Sequence, residues 1–134
     1  LEVCPFTARS KRRKLSGADR PAELQPHKVV ETWTLVDVLE MDEDRYQSDF
    51  VGTAMRRATR SGMRRNAAVV LGNQRQESAL PHLIAALADS DPVVRGHAAW
   101  AIDRIEPRHP SLEKALRIED DERVKQELHR ALNR

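Results

Sequence analysis

Apolar residues recur along this chain at the three- and four-residue steps of a helix and nowhere in sustained alternation, so the pattern predicts helices and gives strands little support. Val94, Ala98, Ala101 and Ile105 follow the i, i+4, i+7, i+11 spacing of one buried helical face, with Asp91 as N-cap and Pro92 at the first helical position. Segments 79–88 and 111–118 are apolar at the same spacing, Pro81 falling in a first turn where its missing N–H costs little. Further upstream, Thr34 with Asp37 marks a helix start, and Leu35, Val38 and Leu39 give a stripe over about 35–40. A short second helix over 42–50 sets Tyr46 and Phe50 on one side and ends at Gly52.

From Met63 the pattern repeats. MRRNAAVVLGN, VRGHAAWAIDR and VKQELHRALNR align from Met63, Val94 and Val124, at offsets of 31 and 30 residues, so that Leu71, Ile102 and Leu132 coincide, as do Ala67 and Ala98. With the apolar segments between them, these copies read as helical hairpins, two full units and a terminal helix. DPVVR and DERVK resemble the Asp-x-x-Val-Arg/Lys opening of HEAT repeats, whose hairpins stack into a solenoid. The expected fold is all-α: a short α-solenoid of HEAT-like hairpins within a helical domain over 31–134. An irregular, partly extended arm over 1–30, interrupted by Pro5, Pro21 and Pro26, precedes it.

At 134 residues the chain has room for one domain with a core of its own. Leu1 stands where an initiator methionine would, which reads as a segment of a longer protein. No apolar run reaches the roughly 18 residues of a membrane span, no signal-peptide core follows a charged start, and Cys4 is the single cysteine. The expectation is a soluble, cytoplasmic monomer with no membrane partner.

Charge changes the picture more by its placement than by its total of +2. Arg9, Lys11, Arg12, Arg13 and Lys14 form a basic run in the arm. Segment 31–49 holds seven acidic residues against Arg45 alone, and segment 51–76 then holds six arginines and no acid.

Arg56, Arg57, Arg60, Arg64 and Arg65 put five cations in ten residues, with Arg56 and Arg60 read as one helical turn apart and the next helix beginning after Ser61 and Gly62. Such a cluster suits a phosphate backbone, because each neutralised phosphate releases counterions and arginine makes bidentate contacts that lysine cannot. The competing readings are a solvated helical face, or pairing with the acidic 31–49 segment. Arg95 stands where HEAT-type arginines pair with an aspartate of a neighbouring unit, and Asp91 and Asp121 are its natural partners. His97, Trp100 and Arg104 share a stripe displaced from the buried face. It reads as a structural or interface ridge, with base stacking on Trp100 as the alternative. His27, His82, His97, His109 and His129 have no zinc-like spacing, and no catalytic constellation is visible. Cys4 followed by Pro5 is either an exposed lone thiol or the closing element of a ferredoxin-type iron–sulfur motif.

LEVCPFT, FVGTAMRRATRSGMRRNAAVVLGN and RGHAAWAIDRI, in this order and spacing, resemble the C-terminal region of the tRNA epoxyqueuosine reductases, a family similar to reductive dehalogenases in its catalytic half. The resemblance implies an oxidoreductase of queuosine biosynthesis, carrying 4Fe-4S clusters and cobalamin, that reduces epoxyqueuosine at the tRNA wobble position. It implies that Cys4 is a 4Fe-4S ligand in the intact protein, with its neighbouring ligand upstream of Leu1. Phe6 and Thr7 depart from the Trp and Asn usual in the family after that Cys-Pro pair. No residue here inherits a catalytic role, and the segment alone is expected to be inactive and to hold no cofactor. Its implied partners are tRNA, through the arginine cluster, and the N-terminal catalytic domain. Two other readings are a stand-alone HEAT-like scaffold for a protein partner and a non-catalytic RNA-binding module.

Overall fold

The computed structural model describes residues 32–133; Cys4, the basic run 9–14 and the rest of the arm lie outside the described residues. The chain divides into a unit ending at Thr32 and a helical unit, Trp33–Arg134. The helices of the second unit are α1 (Leu35–Glu40), α2 (Glu43–Phe50), α3 (Arg60–Gln74), α4 (Leu80–Ala86), α5 (Pro92–Ile105), α6 (Pro110–Ile118) and α7 (Glu122–Leu132). Short 3-10 turns, Ala54–Ala58 and Glu77–Ala79, precede α3 and α4, and the described residues contain no strand.

Local chemistry sets these boundaries. Thr34 and Asp37 form a reciprocal capping box at α1, each side-chain oxygen accepting the other's backbone N–H. Asp42, Asp91 and Asp121 cap α2, α5 and α7 singly, each carboxylate taking N–H groups that the helix leaves orphaned. Helix α3 differs from expectation. It begins at Arg60 and runs straight through Ser61 and Gly62, because the Thr59 hydroxyl caps the Gly62 N–H at 3.1 Å.

Helices α3, α5 and α7 form one row, each packed on the next; α1, α4 and α6 pack on them in turn, and α1 also touches α4. The result is three hairpins, α1 with α3, α4 with α5 and α6 with α7, rather than two units and a terminal helix. The repeat period was read correctly, but a period does not say which neighbour a helix pairs with. Helix α1, which carries no copy of the repeat, completes the first hairpin.

The repeat columns are the core. Met63, Val94 and Val124 are buried at equivalent positions, as are Ala67, Ala98 and Leu128, and Leu71 and Ile102. Small residues let the inner helices approach closely. A β-carbon on Gly72 would lie 2.8 Å from the Trp100 ring and 2.9 Å from the Ala101 Cα, so this position takes glycine for room. A second, smaller core of Met41, Tyr46, Phe50 and Met63, flanked by Trp33, fixes α2 beside the start of α3. There the Trp33 and Phe50 rings meet edge to face at 5.4 Å.

Two partly buried ion pairs recur with the repeat. Arg64 of α3 pairs with Asp89 before α5, and Arg95 of α5 pairs with Glu119 before α7. Arg64 and Arg95 are 31 residues apart, and Asp89 and Glu119 are 30, so one clamp is used twice. Each ties an inner helix to the loop of the next hairpin. Among the described residues no helix is long and apolar enough to cross a membrane.

Candidate nucleic-acid interface

The arginine cluster falls on two elements, not one helix. Arg56 and Arg57 lie on the 3-10 turn Ala54–Ala58, while Arg60, Arg64 and Arg65 lie on α3. Thr59 separates them at φ 57°, ψ 155°, backbone territory that glycine tolerates and a β-branched residue enters only with strain. Gly52, at φ 73°, opens the same loop. Segment 51–59 therefore projects as a knuckle between α2 and α3.

This knuckle is pinned from beneath. The Tyr46 hydroxyl donates to the Arg56 carbonyl at 3.0 Å, the Thr53 hydroxyl donates to the Phe50 carbonyl at 2.9 Å, and Arg56 Nη2 donates to the Gln47 side chain at 2.9 Å. The sequence sets Tyr46 with Phe50 on one side of α2 and says nothing of its hydroxyl. Its hydroxyl is one of the loop's anchors, a role that the three-dimensional arrangement reveals.

The five arginines separate by their partners. Arg64 is buried, its Nε donating to the Leu39 carbonyl at 2.6 Å and its Nη2 engaging Asp89. That is a clamp within the fold, and it removes Arg64 from the exposed cluster. Arg60 is half committed, pairing with Glu43 at 3.0 Å and donating to the Met41 carbonyl at 3.2 Å. Arg56 meets only a neutral amide, and Arg65 only the Asn66 side chain at 3.0 and 3.2 Å. Arg57 is exposed and makes no hydrogen bond or ion pair to the described residues. Among the described residues, Arg56, Arg57 and Arg65 thus meet no carboxylate. The acidic 31–49 segment takes Arg60 through Glu43, and Asp89, outside that segment, takes Arg64.

Next to the cluster, Ser61 in the first turn of α3 lies beside Asp91, the N-cap of α5. The Ser61 hydroxyl, donating to Asp91, holds that carboxyl below the usual aspartate range, helped by the Val93 and Val94 N–H groups and the charge of Arg60.

Arg95 takes a different partner from the two aspartates expected. Its Nε and Nη2 form a bidentate pair with Glu119 at 2.8 and 2.7 Å, and Nη1 donates to the Asp89 and Ser90 carbonyls. Glu119 also accepts the Asp120 and Asp121 N–H groups at 3.1 and 2.9 Å, so Asp121 is left to cap α7. The guanidinium holds the Glu119 carboxyl at about 2. Aligning Arg64 with Arg95 and Asp89 with Glu119 in the repeat is the sequence signal that would have identified this partner.

Trp100 packs onto α3 at Gly72, with the Arg104 guanidinium 5.9 Å from its ring centre, and His97 Nδ1–H donates to the Val93 carbonyl at 2.7 Å. Both side chains line an open groove of about 510 Å³ between α5 and α7, whose walls include Val93, Arg123, Val124 and Glu127. Among the described residues no group of three or more His, Cys, Asp or Glu side chains is placed to hold a metal ion.

Residues 48–133 match the family of HEAT repeats. An uncharacterized protein of the gldA 3′ region in Geobacillus stearothermophilus is 34% identical over 110 residues, 80% of this chain and 51% of that protein. The epoxyqueuosine reductase of Bacillus subtilis strain 168 is 32% identical over 113 residues, 82% of this chain and 29% of the reductase. Among solved structures, an epoxyqueuosine reductase with an epoxyqueuosine-modified tRNA-Tyr stem loop superposes at a TM-score of 0.81 with 30% identity, over 98% of this chain and 34% of that one. The Bacillus subtilis enzyme gives the same TM-score and identity, with 35% of its chain covered. The chain therefore spans about half the length of the first relative and about a third of the reductases it matches. Matched over residues 48–133, well over half its length, this chain belongs to the HEAT-repeat family, with close likeness to part of the epoxyqueuosine reductases.

Proposed function

We propose that this chain serves as the helical section of an epoxyqueuosine reductase-type protein and contributes an RNA-contacting surface to it. The observation that carries this reading is the likeness, at a TM-score of 0.81 over 98% of the chain, to a reductase whose structure was solved with a tRNA stem loop. The chain's own residues add physical support. Arg56, Arg57 and Arg65 have no carboxylate partner among the described residues, and three such charges meeting phosphates would make binding fall steeply with salt.

In the whole protein, reduction of epoxyqueuosine to queuosine in tRNA is the proposed reaction, with 4Fe-4S clusters and cobalamin as its cofactors and Cys4 as one thiolate ligand. One thiolate cannot hold a cluster, so this reading includes further ligands from the rest of such a protein. What the described residues do is structural and electrostatic: the hairpins present the knuckle, and its arginines hold and orient RNA.

The test is the affinity of the chain for a tRNA anticodon stem-loop RNA, measured across a salt series. Charge reversal at Arg56, Arg57 and Arg65 is expected to reduce affinity at least about tenfold and to flatten the salt dependence. Unchanged affinity in the triple variant would remove RNA contact from the account.

A further inference from the structure

The knuckle carries more than charge. Val51 is 64% exposed and Met55 is 44% exposed, at the tip of the same loop that presents Arg56 and Arg57. An apolar pair held in water gains nothing unless something apolar covers it. The loop beneath is held by the Tyr46, Thr53 and Arg56 hydrogen bonds already described, which lessens the order lost on contact. Met55 is followed directly by the exposed Arg56 and Arg57, neither of which pairs with a carboxylate among the described residues, so a partner covering it meets two cations.

Charge complementarity selects an anionic partner, and the apolar tip narrows its form. An A-form duplex presents phosphates and ribose hydroxyls, with its base faces stacked away from contact. Unpaired nucleotides present base faces beside phosphates, the combination that apolar and cationic side chains recognise together. Resting on the RNA-contact reading above, we propose that Val51 and Met55 pack against unpaired bases of the bound RNA while Arg56 and Arg57 hold the adjacent phosphates. The knuckle is thereby a reader of single-stranded loops, not of duplex stems.

The test compares two RNAs, a hairpin with an unpaired loop and a blunt duplex of the same stem sequence, against the full chain and two variants. Val51→Ser with Met55→Ser in one protein is expected to weaken hairpin binding about tenfold, the scale of one buried apolar side chain, and to leave duplex binding within about twofold. Arg57→Glu is expected to weaken both. Thermal unfolding of each variant checks that the fold is intact, and surface sites of this exposure should not disturb it. Equal loss on both RNAs, or no loss on either, overturns loop reading; in the second case the apolar tip faces a protein surface instead. If Arg57→Glu is also silent, or the unmodified chain binds neither RNA, the RNA-contact reading falls together with this one.

Discussion

Replacing Glu119 by alanine tests the repeated clamp most sharply. The carboxylate takes two hydrogen bonds from Arg95 and two from the backbone of the turn into α7, and its side chain is only 6% exposed. Its removal strands a guanidinium that is 18% exposed, with just the Asp89 and Ser90 carbonyls remaining. Breaking one partner of a buried pair typically costs 3–5 kcal/mol; this pair is partly buried and two carbonyls survive, which places it below that range, at about 2 kcal/mol. That is a large share of the stability of a small domain. Glu119→Gln, which keeps an acceptor but loses the charge, should cost about half as much. Urea denaturation followed by circular dichroism reads both values. Acid titration gives an independent check. Because the folded-state carboxyl is held at about 2, its stabilisation is complete above the ordinary value of 4.5 and is lost as pH falls from there toward 2. Glu119→Ala should lose that part of the acid dependence. An alanine variant within about 0.5 kcal/mol of the parent, with an unchanged acid profile, would refute the clamp.

Three further outcomes follow from the geometry. Gly72→Ala should destabilise by about 2 kcal/mol despite alanine's better helix propensity, since its methyl meets the Trp100 ring and the Ala101 backbone; a neutral or raised melting temperature would contradict this. Thr59→Gly should stabilise by about 1 kcal/mol, because relief of the φ 57° strain exceeds the few tenths lost when glycine replaces a hydroxyl cap, and a lower urea midpoint would show the strain to be absent. Tyr46→Phe should cost about 1 kcal/mol and loosen segment 51–59, seen as faster amide exchange there and not in α5; uniform exchange would deny the hydroxyl its anchoring role.

Helices, caps and the repeat were legible because each is a local signal: three-and-four spacing of alanine, leucine and valine, aspartate before a first turn, and a thirty-residue recurrence. The pairing of hairpins was not legible, since α1 lacks the repeat signature yet fills the first outer position. Counting arginines between Arg56 and Arg65 found a cationic surface but overstated it. Charge density along a sequence does not show that Arg64 turns inward to Asp89 or that Arg60 meets Glu43. The backbone reversal at Thr59, which splits the cluster between two elements, has no sequence signature, because threonine is an unusual residue at positive φ. Cys4 and the arm lie outside the described residues, so the proposed cluster ligand rests on sequence resemblance alone.

A nitrogen–proton correlation titration of the isotopically labelled chain with a tRNA anticodon stem-loop RNA tests the central claim, that the knuckle beside α3 contacts RNA, most directly. The account predicts shift changes concentrated in Val51 to Arg57 and at Arg65, shrinking as salt is raised. Changes confined to α6 and α7, or none at RNA concentrations that saturate binding, would contradict it.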